Sequence, residues 1–200
     1  MQRIARIFSV ALLGFGIAGG QALAAGLAPK GVYKLDEQHT QILFAIKHEG
    51  ISTFYGRLGK VSGTLNFDQA KPENSALNVA VDTTTIDTHV PALDSSVPND
   101  LFQADKFPSA TFVSTNVART GDNAGTVTGN LTIAGVTRPV VLNVTFNGGR
   151  GTGEPMQPYR LGFDATATLK RSDFGLNHVI WDGFVSDEVT LMIEAEAERK

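Results

Sequence analysis

The pattern of apolar and polar positions is most regular between Thr126 and Phe146. From Val127 to Ile133 the apolar residues share one parity and threonines and an asparagine take the other, as in a half-buried β-strand. The alternation resumes after Ala134 and continues to Phe146. The two runs therefore predict an antiparallel hairpin, with Gly135 at a positive φ in the turn. Pro139 cannot donate to a ladder, so it should begin its strand or face an edge.

The same alternation recurs along the chain and predicts about eight strands. Besides the hairpin, it appears in the segments 42–46, 55–67, 77–81, 110–115, 161–169 and 189–197. Gly50 to Phe54 is expected to be a connector or a single helical turn. Three glycines within the 55–67 run predict one strongly curved strand there. Another helical turn is expected at Ser172 to Gly175.

The segment Thr84 to Pro108 breaks this pattern, since its apolar residues have no period of two and three prolines interrupt it. We expect short helices there, around Ala92 and from Asp100 to Ala104. Such a segment would loop over one end of the fold as a lid.

These elements predict an all-β fold with short helical connectors. Eight antiparallel strands can remove their edges by closing into an up-and-down barrel, which is wide enough for one small ligand. A β-sandwich is the structural alternative.

The first 24 residues have the features of a secretory signal peptide. Arg3 and Arg6 precede an apolar run, and Ala22-Leu23-Ala24 supplies a small-x-small cleavage site. We therefore expect cleavage after Ala24, a periplasmic location, and one domain over residues 25–200. An uncleaved membrane anchor is the alternative interpretation.

Charge and cysteine content exclude several functions. Removing Arg3 and Arg6 from 17 basic and 20 acidic residues leaves a net charge of −5, and the sequence has no basic run. A nucleic acid partner is therefore not expected. The chain has no cysteine, so it has neither disulfides nor thiolate metal ligands.

No catalytic or metal motif emerges from residue spacing. Gly149-x-Gly151-x-Gly153 has no strand-to-helix context, so it is interpreted as a hairpin loop rather than a phosphate loop. The four histidines lack the spacings typical of metal ligands on one helix or strand. We expect a protein that is not an enzyme and holds no metal or covalent cofactor.

Aromatic residues are frequent, with twelve Phe, three Tyr and one Trp spread over most strands and connectors. Most of them are expected to form ordinary core. In a barrel not filled by its own side chains, however, they would line a lipid cavity.

Several separate motifs resemble, in order, those of the YceI-like periplasmic proteins that bind polyisoprenoids. The matching stretches are 33–39, 44–48, 63–68, 82–88, 106–112, 129–140, 171–175 and 187–189. The family usually carries an Asp-x-His-Leu stretch in the region corresponding to Leu93–Phe102, and this chain lacks that histidine. If that segment covers a cavity mouth, ligand entry differs here.

The resemblance implies an eight-stranded lipocalin-like barrel with a long apolar tunnel. The implied ligand is a long apolar lipid such as a polyisoprenoid, an isoprenoid quinone or a polyprenyl phosphate, held for transport or storage. Alternatives are fatty acid or fatty amide binding, and a stress-responsive accessory protein whose partner is a membrane cytochrome. The sequence does not indicate an oligomeric state.

On the hypothesis that the apolar parity of each strand faces inward, eight side chains are expected to contact a lipid. They are Phe44, Val61, Leu65, Val79, Phe112, Leu131, Leu142 and Phe163. Polar contacts to a head group would be confined to the mouth, with His48, Arg171 and Asp173 as candidates.

Overall fold

A computed structural model describes residues 27–177 and 182–200. The expected signal peptide, 1–24, lies outside these residues and stays a prediction. The described residues form ten strands and one α-helix. Their bounds are β1 Gly31–Leu35, β2 Gln41–His48, β3 Ser52–Arg57, β4 Val61–Phe67, β5 Ala76–Asp82, α1 Pro91–Asp100, β6 Ser109–Arg119, β7 Ala124–Ile133, β8 Val136–Arg150, β9 Arg160–Lys170 and β10 Val185–Arg199. Short 3₁₀ helices occur at Pro72–Asn74 and Ser172–Phe174.

Eight of the strands close into an antiparallel barrel, in the order β1-β4-β5-β6-β7-β8-β9-β10 and back to β1. The predicted all-β barrel is confirmed, and the sandwich alternative is wrong. The long strand β10 makes closure possible because two strands share one of its edges. Leu35 of β1 pairs with Ala197, and Gln41 of β2 pairs with Glu194. Strands β1 and β2 therefore follow one another along β10, and the β2–β3 hairpin extends the wall beyond β1.

The central hairpin forms as predicted. Ala134 and Gly135 make the turn, with φ values of 48° and 79°. Pro139 pairs with Asn130 of β7, and the ladder to β9 begins only at Asn143. Pro139 thus faces an edge that has no strand partner at that point, as its missing N–H requires.

The prediction for residues 50–67 was wrong in two respects. Ser52 to Phe54 belong to strand β3, and the expected single curved strand is two strands separated at Leu58–Lys60. The β2–β3 turn has a positive φ at Glu49 as well as at Gly50, a conformation that a non-glycine residue rarely adopts. At this break Gly59 packs tightly against the chain, since a Cβ there would overlap the backbone oxygen of Asp82.

Other boundaries also differ from the predictions. Strand β1 was not predicted, because only Tyr33 and Leu35 of its short run are buried. Strand β8 continues to Arg150, so the glycine-rich loop begins later than expected. The helical turn predicted around Ala92 belongs to one longer helix, α1, whereas the helix predicted from Asp100 to Ala104 is wrong, because α1 ends at Asp100 and non-helical turns follow. The turn at Ser172–Phe174 is confirmed.

The two ends of the barrel differ. At the mouth end, His48 pairs with Val185 and Asp82 pairs with Ser109, so the whole 83–108 segment leaves and re-enters the barrel there. At the base, Tyr33, Leu161 and Ala197 are fully buried. They form a cluster with Phe67, so the base is packed at this side of the barrel.

Candidate functional site: an apolar cavity in the barrel

A cavity of about 750 Å³ runs through the barrel from helix α1 to the base, where it borders the packed cluster on one side and the exposed residues Arg119 and Asp122 on the other. This volume lies within the range of small-molecule binding sites. Its wall comes from the inward-facing residues of the barrel strands and of the β2–β3 hairpin. Because successive strand residues point to opposite faces, each strand presents its apolar parity to the cavity and its polar parity to solvent.

All eight side chains nominated by parity line this cavity. They come from seven strands, so the barrel brings together residues that are far apart in sequence. Their contact with a lipid stays a prediction. The eight are Phe44, Val61, Leu65, Val79, Phe112, Leu131, Leu142 and Phe163.

Three aromatic rings form one wall of the cavity toward the base. Phe67, Phe146 and Phe163 have ring centroids 5.2 to 5.7 Å apart. Tyr33 lies edge-on to Phe67 behind them and donates its hydroxyl proton to the Pro29 carbonyl at 2.5 Å. Phe67 and Phe146 were not nominated, although Phe146 shares the parity of Leu142 and could have been found from it.

In the part of the chain that the structure describes, the ionisable residues of the cavity lie at its ends. Among its described lining residues, the ionisable side chains are His48 and Arg171 at the mouth end and Arg119 and Asp122 at the base end. The middle of the wall is aliphatic and aromatic. A bound molecule would therefore need an apolar body with any polar group near an end.

Arg171 lines the cavity but is 5% exposed, and it is used mainly by the protein itself. Its Nε donates to the Ser186 carbonyl at 3.0 Å, and its Nη1 donates to the Leu176 carbonyl at 2.7 Å. Its Nη2 lies 3.5 Å from the Val185 carbonyl and 3.7 Å from an Asp182 carboxylate oxygen. Arg171 thus holds the start of β10 against the 171–176 turn.

The other two polar candidates lie in different places. His48 is exposed on the rim of the cavity, at the end of β2. Asp173 does not line the cavity. It is exposed in the 3₁₀ turn, beside Pro139 on the outside of the barrel. The turn carries Phe174 inward to the core and leaves Asp173 in solvent, so its nomination as a mouth residue is not supported.

Helix α1 covers the mouth. Its residues Leu93 and Val97 line the cavity, as do Leu101 and Phe102 just after it. Asp94 fastens the helix, since its Oδ1 accepts hydrogen bonds from the Thr88 N–H at 2.7 Å and from the Thr88 hydroxyl at 2.6 Å. These hydrogen bonds from Thr88 hold the pKa of Asp94 below its ordinary value.

The helix itself is weakly built. Pro98 lies inside it and cannot donate to the carbonyl of Asp94. Residues with positive φ flank it on both sides, His89 at 58° and Gln103 at 51°. Such backbone conformations are costly for non-glycine residues. The cover of the cavity is thus less stable in itself than the barrel wall.

A polar group on the outer wall escaped the sequence analysis. Asp36, His39 and Glu196 bring potential metal-ligating atoms within 4.8 Å of one another. His39 Nδ1 lies 2.7 Å from an Asp36 carboxylate oxygen. This hydrogen bond raises the pKa of His39 and lowers the pKa of Asp36. None of the three residues lines the cavity, although their chain neighbours Leu35, Thr40 and Ala195 do. Histidine spacing alone could not reveal the group.

No helix in residues 27–177 and 182–200 is long and apolar enough to cross a lipid bilayer.

Comparison with known proteins agrees with this architecture. A UPF0312 protein of Pseudomonas paraeruginosa is 39% identical over 188 residues, which cover 92% of this chain and 96% of that protein. The crystal structure of BcnA from Burkholderia cenocepacia superposes with a TM-score of 0.72 at 27% identity, covering 81% of this chain and 98% of BcnA.

A third similarity is to a domain from Saccharophagus degradans, described as a polyisoprenoid binding domain implicated in plant cell wall breakdown. It has a TM-score of 0.63 at 15% identity, covering 86% of this chain and all of that domain, and it shows the shared fold. The YceI-like domain family model matches residues 33–197. The chain therefore belongs to the YceI-like family.

Proposed function

We propose that the protein is a non-enzymatic carrier or store of one long apolar lipid of the polyisoprenoid class. Polyprenols, polyprenyl phosphates and isoprenoid quinones belong to this class. The observation that carries the proposal is the apolar cavity of about 750 Å³, whose ionisable lining residues, among those that the structure describes, lie near its ends.

The energetics of such a site suit a long hydrocarbon chain. Burying each methylene contributes about 0.8 kcal/mol. A chain that fills much of the cavity can therefore offset the cost of association without any charged contact. An apolar ligand also leaves no unsatisfied polar group in the middle of the wall.

The family adds support for the isoprenoid class. The Saccharophagus degradans domain that shares the fold is described as a polyisoprenoid binding domain. Identity to that domain is only 15%, so the ligand of this chain rests on its own cavity.

The mature protein is proposed to act in the periplasm, beginning at Ala25. The support is the succession of charged, apolar and small residues in the first 24 positions. Intact-mass analysis of osmotic-shock fluid is the test. Recovery only in the membrane pellet, at the full-length mass, would contradict this location.

The test of ligand class is the mass of the molecule that organic extraction releases from the purified protein. An isoprenoid that saturates at one per chain supports the proposal. Release of a fatty acid or a fatty amide would instead assign one of these as the ligand class. Chemical turnover of an added polyprenol would show that the protein is an enzyme. An empty cavity that polyprenol cannot fill, together with saturable binding to a membrane cytochrome, would support an accessory role.

A further inference from the structure

Two apolar side chains are strongly exposed at the mouth of the barrel. Ile51, in the β2–β3 turn, is 83% exposed, and Phe184, just before β10, is 52% exposed. Isolated apolar residues are common on protein surfaces and need no explanation. These two differ because both lie at the rim of the cavity, on segments that a backbone hydrogen bond joins.

The backbone fixes both side chains to the rim. Glu49 and Gly50 have positive φ values of 50° and 71°, and the Ile51 N–H donates to the His48 carbonyl at 3.1 Å. These features define a type I′ turn. The Glu49 N–H in turn donates to the Phe184 carbonyl at 2.6 Å, which ties the turn to the residue before β10.

Residues close to Ile51 and Phe184 in the sequence line the cavity. His48 and Ser52 flank the turn, and Val185 follows Phe184, and all three contribute to the cavity wall. Ile51 and Phe184 therefore stand in solvent one to three residues from positions that face the lumen. We call them the mouth pair.

We propose that the mouth pair docks the barrel on a lipid bilayer, with both side chains inserted at the boundary between head groups and acyl chains. This places the cavity opening against the membrane from which a water-insoluble ligand must be taken. The purpose assigned to docking rests on the proposed lipid-binding function, whereas docking itself can be measured without it.

Size and charge favour a bilayer over a protein partner. Two side chains flanked by the exposed, charged Lys47 and Glu49 make an apolar patch well below the roughly 1,000 Å² that a stable protein interface buries. Peripheral membrane binding scales with the apolar area that inserts, so two side chains are expected to give a weak, reversible contact. The expected mature chain, residues 25–200, has a net charge of −5, so attraction to anionic head groups is not expected to drive the contact.

The test is flotation of the purified protein with vesicles of phosphatidylcholine and phosphatidylethanolamine. The double variant Ile51→Ser/Phe184→Ser should bind about tenfold more weakly than the parent, because the apolar area that inserts is lost. The matched control is Val113→Ser/Val141→Ser. It removes two exposed apolar side chains, 47% and 48% exposed, from the outer barrel wall, and it should bind within about twofold of the parent.

Three results would overturn the proposal. They are equal flotation of parent and mouth-pair variant, no flotation of the parent, or binding that requires phosphatidylglycerol and vanishes in high salt. If sedimentation instead shows that the parent and the control variant are dimers and the mouth-pair variant is a monomer, the surface is a contact between copies of this chain.

A second measurement separates docking from ligand binding. Each protein is offered the polyprenol solanesol from ethanol and, separately, from the vesicles, and uptake is read by native mass spectrometry. The mouth-pair variant should load normally from ethanol and slowly from vesicles. If the parent takes up no solanesol even from ethanol, the proposed function fails, while flotation still decides docking.

Discussion

The ring of Phe44 lies over Gly56, its cross-strand partner in the β2–β3 hairpin. A Cβ on Gly56 would come within 2.5 Å of two ring carbons of Phe44. The ring of Phe112 lies over Gly129 of β7 in a similar way, although Gly129 is its diagonal neighbour and pairs with Ser114. In both places the absence of a side chain lets an aromatic ring fold along the wall, which leaves the lumen open.

We therefore expect Gly56→Ala to push the Phe44 ring into the cavity. Overpacking should lower the free energy of unfolding by about 1–3 kcal/mol and reduce solanesol uptake. Urea unfolding and native mass spectrometry measure the two effects. Gly162→Ala is the control, because its Cβ would meet only Asn147 at an ordinary 3.7 Å. Equal uptake by both variants would show that the ring position does not limit the cavity.

Arg171 is expected to matter more for stability than for ligand binding. Arg171→Ala leaves the carbonyls of Leu176 and Ser186 without their donor and should lower the free energy of unfolding by about 2–4 kcal/mol. Arg171→Lys should lose less, since an ammonium can still reach one acceptor. Urea unfolding tests this. Unchanged stability with abolished lipid uptake would instead make Arg171 a head-group contact.

The cavity wall could be predicted from the sequence because it depends on parity. Leu131 and Leu142 lie on regular strands, and alternation decides which face each presents to the lumen. The turn into β3 could not be predicted in the same way. It depends on Glu49 in a backbone conformation that composition does not reveal.

The roles of the polar residues could not be predicted either. Arg171 donates to backbone carbonyls of β10 and the neighbouring turn. Backbone acceptors of this kind cannot be identified from residue types in the sequence. Asp173 is carried outward because Phe174 takes the inward position of the same turn. Sequence patterns therefore located the apolar site, whereas tertiary contacts decided which charged groups belong to it.

Glu194 and Asp164 face each other across β9 and β10 on the outer wall. The hydrogen bond and repulsion between the two carboxyls raise the pKa of Glu194 above its ordinary value. Like charges directly opposite destabilise a sheet. Glu194→Gln should therefore raise the free energy of unfolding by a few tenths of a kcal/mol, since exposure weakens the effect.

The stabilisation expected for Glu194→Gln should depend on pH in a direction that follows from the raised pKa of Glu194. A carboxyl with a raised folded pKa destabilises the fold fully above that pKa and not at all below its unfolded value. The gain should thus be present at pH 7 and disappear in mild acid, as urea unfolding at several pH values can show. Glu188→Gln is the control, because Glu188 faces Lys170 and its loss should not stabilise. A gain that persists unchanged in acid would contradict the electrostatic cause.

The lid should open more readily than the barrel. Hydrogen exchange should find Leu93 and Val97 less protected than Leu131 and Leu191, because α1 contains Pro98 and is bounded by strained residues. Asp94→Ala removes the acceptor of both Thr88 hydrogen bonds and should raise lid exchange further. Equal protection of lid and barrel would show that α1 is permanent packing.

Asp94→Asn separates the charge of the Asp94 side chain from the geometry of its hydrogen bonds to Thr88. The asparagine oxygen can still accept from Thr88, so the lid should stay closer to the parent than in the alanine variant. In the parent, the lowered pKa of Asp94 means that its contribution is present above the ordinary carboxyl pKa and lost as pH falls through the folded value. Acid should therefore loosen the parent lid, and this site should not respond to acid in Asp94→Asn.

Filling the cavity should impair ligand uptake more than removing a polar side chain at its mouth. Leu131 lines the lumen opposite Phe112 on the neighbouring strand, so the added volume of Leu131→Trp takes space from a ligand without burying a charge. We expect at least about tenfold weaker solanesol loading, because each methylene kept out forfeits about 0.8 kcal/mol. His48→Ala, on the exposed rim, should load within about twofold of the parent. Val113→Trp adds an indole to the outer wall and controls for its effect on folding, since Val113 is exposed. Native mass spectrometry of the three proteins decides the matter: if Leu131→Trp folds and loads like Val113→Trp, the lipid does not occupy this part of the barrel.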